Sequence, residues 1–411
     1  MNVIRYRLKK NILFLSGLLL TTTLAACGGS SVSHPKTASS NTPNASSINN
    51  PANQNQNADN GFSNNGENAS DMQQMQAVHS VAVIVPLSGA FANIGQSIAN
   101  TAQMAVSDLA DRHTGIKITC YDSAKGAAEA VNKAVSDGNK LILGGVFPSE
   151  ARMMALAARN AHIPMITFSN DSSFAGNGVY VMGFSVGAGI QRVVKYALDH
   201  KLSRFAALLP NGVYGRKASA SLLRTVSNNG GSVATLSNYN RTPQEITDAV
   251  TKLGQDYDAV LIADSPRIAR IAAPLLVKQD GTKPQILGSE LWSIDNNLKN
   301  VPALYGAWFA SVPDGMFHQL SGKYKARYGV TPPRLASLGY DAILLAARIS
   351  PNWPSNGDFP EKKLLSPNGF MGIDGAFRFN NQAIAERALA VEKVSANGIV
   401  VIDPAPTSFS K

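Results

Sequence analysis

From His79 onward the chain alternates short apolar runs with amphipathic stretches, and that alternation predicts its architecture. The first run, residues 81–85, is continuous rather than alternating and rich in β-branched residues. Such a run reads as a strand buried on both faces, hence part of a parallel sheet covered by helices. Pro86 stops it, having no N–H to give the ladder. Ser88, Gly89 and Gly95 then bracket a loop, and Ile98, Ala102, Ala105, Val106 and Leu109 follow at helical spacing. Strand, loop and helix make one βα unit, and in open α/β sheets ligands bind beside the carboxyl ends of the strands. The loop 88–95 is therefore expected at any small-molecule site.

The unit recurs. Strands are expected at 116–121, 141–145, 164–168 and 179–184, with helices at 127–135, 150–161 and 188–200. A second series follows, with strands at 205–209, 232–236, 259–263 and 285–287 and helices at 215–228, 243–253 and 267–278. Two successive series of similar size predict an α/β fold of two doubly wound lobes. An apolar strand near Trp308, helices at 314–328 and 335–349, and antiparallel strands within 370–379 and 387–394 around Asp374-Gly375 complete the pattern. No internal repeat at a fixed period stands out.

Ahead of this domain the pattern changes twice. Residues 1–26 read as an export signal, with Arg5, Arg7, Lys9 and Lys10 before an apolar core, 12–20. That core is too short, and too interrupted by Ser16 and Gly17, to span a bilayer. The signal ends in Leu24-Ala25-Ala26-Cys27, which resembles the bacterial lipobox, so Cys27 is expected to carry the lipid. Gly28 in place of aspartate leans towards retention at the outer membrane. Residues 27–78 are Asn, Gln, Ser, Pro and Ala with almost no large apolar side chains. Nothing there offsets the entropy of ordering, which predicts a disordered tether.

Composition narrows the class. The 411 residues are 44% hydrophobic and 16% charged, enough for one or two cores. Removing the signal takes four cations from a formal charge of +10 and leaves a mildly basic chain without runs of like charge. That is a solvated surface rather than a nucleic-acid footprint. With Cys27 lipidated, the other cysteine, Cys120, has no intramolecular partner and reads as a small buried hydrophobe.

No catalytic constellation emerges. The chain has no G-x-S-x-G elbow for a serine nucleophile and no phosphate loop. None of its 6 histidines pairs with another at metal-ligand spacing. Gly183, Gly187 and Gly189 are spaced wrongly for a dinucleotide loop and fit hinge flexibility better. A non-enzyme without cofactor or metal is expected.

Several stretches carry a resemblance. The opening PLSGAFANIGQ, then LILGGVFPSEARMMALAARNAHIPMITFSND, VYGRKASASLL and LASLGYDAILLAA occur in the order found in type I periplasmic binding proteins of the leucine/isoleucine/valine-binding kind. VYVMGFSV, GSELW, PPRLASLGYDA, GFMGIDGAFRFN and VVIDPAP are similar to the penicillin-binding-protein activator branch, the carboxy-terminal domain of the LpoA type. The resemblance spans about His79 to Pro404. It implies discontinuous lobes with three crossings, near Ser185, near 303–306 and after Ser350. Lobe 1 would be 79–185 plus 307–350, and lobe 2 would be 186–306 plus 365–404.

The resemblance also implies a cleft site at Ser88, Phe91, Ser149, Thr167, Ser169, Asp171, Tyr214, Asp264 and Glu290. Tyr214 and Glu290 match the half that receives an amino acid's ammonium group. The carboxylate half departs from the pattern: Pro148 stands where a hydroxyl is expected, with Ser149 one residue on. Asp171 stands where another hydroxyl would be, and its charge would repel a carboxylate. Plainer readings stand beside these. Ser88-Gly89 also fits a turn, Tyr214 the start of a helix, Asp171 a loop cap, Asp341 helix packing, and Trp292 and Trp308 simple burial. Two partners follow. One is a peptidoglycan synthase of the penicillin-binding-protein class, activated by a lipid-anchored envelope protein; the other is an ABC permease supplied with an amino-acid-like ligand.

Overall fold

A computed structural model describes residues 78–112 and 114–409. The expected signal, Cys27 and nearly all of the tether lie outside the described residues. The first sheet is built from β1 (His79–Val85), β2 (Ile116–Asp122), β3 (Leu141–Gly144), β4 (Met165–Thr167) and β5 (Val179–Val181). Its order is β2-β1-β3-β4-β5 and every pairing is parallel. Between the strands run α1 (Ala92–Asp108), α2 (Ala127–Ser136) and α3 (Pro148–Asn160).

The continuous apolar run of β1 has the anticipated cause. Val81, Val83 and Val85 face one core with α1, while Ala82 and Ile84 face another with α2 and α3, and all five are fully buried. Burying each valine fully stabilises the fold by about 1.5–3 kcal/mol. The loop after β1 is shorter than expected, because a 3-10 turn at Gly89–Phe91 runs straight into α1. Gly95 lies inside that helix, where a Cβ would sit 1.9 Å from the Pro86 carbonyl oxygen. Its role is the close approach of helix to strand end rather than loop flexibility.

The chain leaves the first sheet after β5, and the second lobe starts with α4 (Val186–Asp199), β6 (Arg204–Pro210), α5 (Val213–Asn228) and β7 (Ser232–Tyr239). It continues with α6 (Pro243–Lys252), β8 (Ala259–Ile262), α7 (Pro266–Ala272), β9 (Gln285–Gly288) and β10 (Trp308–Ser311). Next come α8 (Gly315–Tyr328) and α9 (Ser337–Ile349), which pack on the first core. The three-stranded antiparallel sheet β11 (Phe370–Gly372), β12 (Gly375–Phe379) and β13 (Ala385–Arg387) follows, and then β14 (Ala390–Ser395) and β15 (Gly398–Asp403). The second sheet has the order β15-β14-β10-β9-β8-β6-β7. Its strands β6 and β8 alternate between two cores as β1 does.

Two crossings differ from expectation. β10 pairs with β9 and, antiparallel, with β14, so Trp308–Ser311 belongs to the second sheet and the chain changes lobe at 312–314 rather than 303–306. Phe309 packs beside Trp292 in the second core, which fixes the assignment. Residues 353–387 also stay with the first lobe: Trp353, Phe359, Leu364, Phe377 and Phe379 fill its core, and the chain crosses at 388–389. Cys120 is exposed instead of buried, because β2 is the edge strand and pairs only with β1.

Candidate functional site

A cavity of about 280 Å³ lies where the two sheets meet, lined among others by Asn170, Ser185, Glu290, Ser311, Arg334 and Arg387. A groove of about 720 Å³ shares Asn170, Ser185 and Arg387 with it and runs out past Lys217 and Arg224. Of the residues expected at the site, Glu290 lines the cavity and Tyr214 reaches it through Glu290. The others lie outside.

Most of those outside are held by local contacts. Ser88 Oγ donates to Asp122 at 2.7 Å. Phe91 packs on Phe147 with ring centroids 4.4 Å apart. Ser149 is exposed in the first turn of α3, behind Pro148 at the helix start, where a missing N–H costs nothing. Thr167 Oγ1 donates to Gly145 O at 2.8 Å and accepts from Ser169 N, while Ser169 Oγ accepts from Asp171 N at 3.2 Å. Asp171 caps the next turn through Ser173 N. It also faces Arg152 at 3.4 Å and, across the lobes, Lys217 at 4.0 Å. Exposed pairs of this kind are worth about 0–1 kcal/mol, too little to clamp the lobes. Asp264 is buried and fully engaged, accepting from Tyr239 Oη at 2.8 Å, Arg241 Nε and Ser265 N. It is a structural carboxylate.

Glu290 follows β9, and its neighbour Trp292 is wholly buried with Nε1 donating to Asp264 O at 3.0 Å. Tyr214, in the first turn of α5, donates to Glu290 Oε1 at 3.0 Å. Glu290 Oε2 is buried without a hydrogen-bond partner. Burial pushes the Glu290 carboxyl up to about 7, against the opposing pull of its own backbone N–H and the Tyr214 hydroxyl. Burial and the Glu290 charge hold the Tyr214 phenol well above its ordinary range.

The other charged residues at the cavity have no counterpart among the residues expected from sequence. Arg334 donates to Asp374 at 2.8 Å and to Pro313 O at 3.0 Å, and pairs with Asp314, so its fork is occupied. Arg387, on β13, is 4% exposed and lies over the rings of Phe184 and Phe377. One Nη donates to Met182 O at 3.1 Å, and Asp341 is 3.8 Å from the other. Asp341 is fully buried, and burial together with the Asp374 charge raises its carboxyl well above the usual range. An arginine immediately before the apolar run 388–391 was the available signal for Arg387, and it reads as an outward-facing strand residue.

Among the described residues no helix is long and apolar enough to cross a membrane, and no group of three His, Cys, Asp or Glu is placed to hold a metal ion.

Two α/β lobes joined by three crossings, with a largely apolar cavity where they meet, define a two-lobed binding protein. The family profile described as periplasmic binding protein matches residues 78–349, and the chain belongs to that family, in its type I, leucine-binding-like form. The fold is shared with a branched-chain amino acid ABC transporter periplasmic ligand-binding protein from Burkholderia xenovorans (TM-score 0.63, 14% identity, 80% of this chain and 96% of that one). It is shared equally with the LpoA C-domain from Haemophilus influenzae, described as a regulator of PBP1A (TM-score 0.63, 15% identity, 79% of this chain and 100% of that one). LivJ from Streptococcus pneumoniae, in complex with isoleucine, has a TM-score of 0.55 at 16% identity, over 80% of this chain and all of its own. An uncharacterised protein of Rickettsia prowazekii is 24% identical over 220 residues, 50% of this chain, and the match spans 58% of that relative's length. The fold is thus a binding-protein fold, and the family is one of the periplasm.

Proposed function

We propose that this chain is a non-catalytic lipoprotein, anchored through Cys27 at the outer membrane, that docks on a peptidoglycan synthase of the penicillin-binding-protein class and activates it. One observation carries the reading: the first-lobe groups that would hold a ligand carboxylate are turned to other uses. Ser88, Thr167 and Ser169 serve their own loops, Asp171 caps a turn, and Phe91 lies against Phe147. The fold shared with the LpoA C-domain supports it. The tether expected from the composition of residues 27–78 would give the domain a root-mean-square reach of about 40 Å from the anchor. The test is crosslinking of the full chain in cells, followed by glycan polymerisation with the purified partner. Failure to recover any bifunctional synthase, or an unchanged polymerisation rate, sinks the reading.

A second reading has one observation in its favour, the Tyr214–Glu290 pair at the cavity. It is delivery of an amino-acid-like solute to an ABC permease by lobe closure. Unchanged solute uptake in a deletion strain removes it.

A further inference from the structure

A depression of about 510 Å³ lies in the first lobe and shares no lining residue with the cavity or the groove between the lobes. Its apolar part includes Leu109, Leu344, Phe370 and Met371. Leu344 and Phe370 are half-buried and Met371 is 50% exposed, so apolar surface is left open to water. Arg112 and Arg348 line the same depression. Arg112 follows the end of α1, and Arg348 stands in the last turn of α9. The two helices run side by side in one direction, since Thr101 donates to Ala336 O and, further along both, Tyr340 Oη donates to Asp108. Both arginines therefore stand at the same end of the pair. Among the described residues neither guanidinium has an ion-pair or hydrogen-bond partner. The carbonyl ends of helices favour cations. That accounts for the two charges, but not for the open apolar surface beside them.

We propose that this depression binds a single-chain anionic amphiphile, with the hydrocarbon chain against Leu344, Phe370 and Met371 and the head group on Arg112 and Arg348. The volume falls within the range of small-molecule sites. A guanidinium is weakly hydrated and forks onto the paired oxygens of a carboxylate or phosphate, which sets the sign and the class of the head. A hydrocarbon chain needs no hydrogen-bond partner along an apolar floor. A peptide laid there must find one for every N–H and C=O that it buries. A cationic amphiphile would meet two like charges with no carboxylate to offset them. The site belongs to one lobe, so filling it requires no movement of the other, and the inference holds whichever partner the protein serves.

Titration calorimetry on the full chain separates the contributions with octanoate, octyl phosphate, hexanoate, 1-octanol and octylamine. Octanoate and octyl phosphate carry the two heads that suit the forks, and tighter binding of either than of 1-octanol and octylamine supports the proposal. Each buried methylene is worth about fourfold in affinity, so hexanoate should bind about 15-fold more weakly than octanoate. Arg112→Gln and Arg348→Gln should each weaken octanoate about fivefold, the upper end for an exposed ion pair, and leave 1-octanol unchanged. Met371→Glu sets a carboxylate against the chain at a half-exposed position, and should abolish octanoate binding without loss of the fold. The wild-type chain gives an independent readout: with 13C-methyl-methionine labelling, octanoate should shift the resonance that Met371→Leu removes. The proposal is overturned if octanoate binds no more tightly than hexanoate, if both arginine variants bind it as wild type does, or if the Met371 methyl does not move. It is overturned equally if a capped acidic peptide moves that methyl and octanoate does not, which would give the surface to a protein segment.

Discussion

Replacing Glu290 with glutamine should change how stability depends on pH, by an amount that follows from the carboxyl's burial. Its folded-state value is about 7, against 4.5 in an unfolded chain. Between those values the folded protein binds more protons than the unfolded one, so stability falls as pH rises through the window. Each unit of difference is worth 1.36 kcal/mol, so the gap corresponds to about 3 kcal/mol. Glutamine keeps an oxygen to accept from Tyr214 and does not titrate. The stability of wild type relative to Glu290→Gln should therefore drop by about 3 kcal/mol from pH 4 to pH 8, with most of the change between 4.5 and 7. At about 2.1 cal/mol/K of unfolding entropy per residue, this is about 4 °C in Tm for a chain of this size. Glu392, also pushed up to about 7 by burial, and Asp341 titrate in both proteins and cancel in the difference. Urea unfolding at half-unit pH steps measures it. Curves that stay parallel within about 0.5 kcal/mol would refute the reasoning, since they would mean that solvent reaches Glu290 and the lobes stand apart in solution.

Three further outcomes follow from contacts already described. Trp292→Ala removes the largest fully buried side chain and its bond to Asp264 O, and should cost about 3–5 kcal/mol in chemical denaturation. Gly95→Ala places a Cβ 1.9 Å from the Pro86 carbonyl and should cost about 3 kcal/mol or more, read as a lowered Tm or lost soluble expression. Asp171→Asn should leave stability within about 0.5 kcal/mol by the same measurement, because its pairs with Arg152 and Lys217 are exposed and long; a larger loss would show that the cross-lobe pair does hold the lobes.

Local pattern carried the elements well. Each face of β1 and β6 meets a separate core, and that is what a continuous apolar run encodes. Helix starts were shifted by a turn at most, as at α1 and α3, because the residues before them, Phe91 and Phe147, offer no side-chain cap to mark them. What pattern could not carry was partner choice. Trp308–Ser311 is apolar enough for either sheet, and only its pairing with β9 and β14 assigns it. Cys120 looked interior because an unpaired cysteine behaves as a small buried hydrophobe, yet an edge strand leaves one side uncovered.

The same distinction divides the site. Glu290 was legible through a short motif that stays local, Gly288 to Trp292, in which the Trp292 ring passes so close to Gly288 that a Cβ would meet it at 2.3 Å. Arg387 was not legible, since its burial depends on Phe184 from one crossing, Phe377 from β12 and Asp341 from α9. No window of sequence holds those together.

That dispersal has a consequence for mechanism. Arg387 precedes the crossing at 388–389, Arg334 grips Pro313 and Asp314 at the crossing at 312–314, and Phe184 stands at the crossing into α4. All three connections between the lobes therefore border the cavity between them. A ligand moves an equilibrium between open and closed lobes only by binding one state better than the other. A ligand touching residues of both lobes in this cavity would meet them together only at this separation, so its contacts would be differential. A ligand that bound there would favour this separation of the lobes, which is the hinge motion the solute-carrier reading needs.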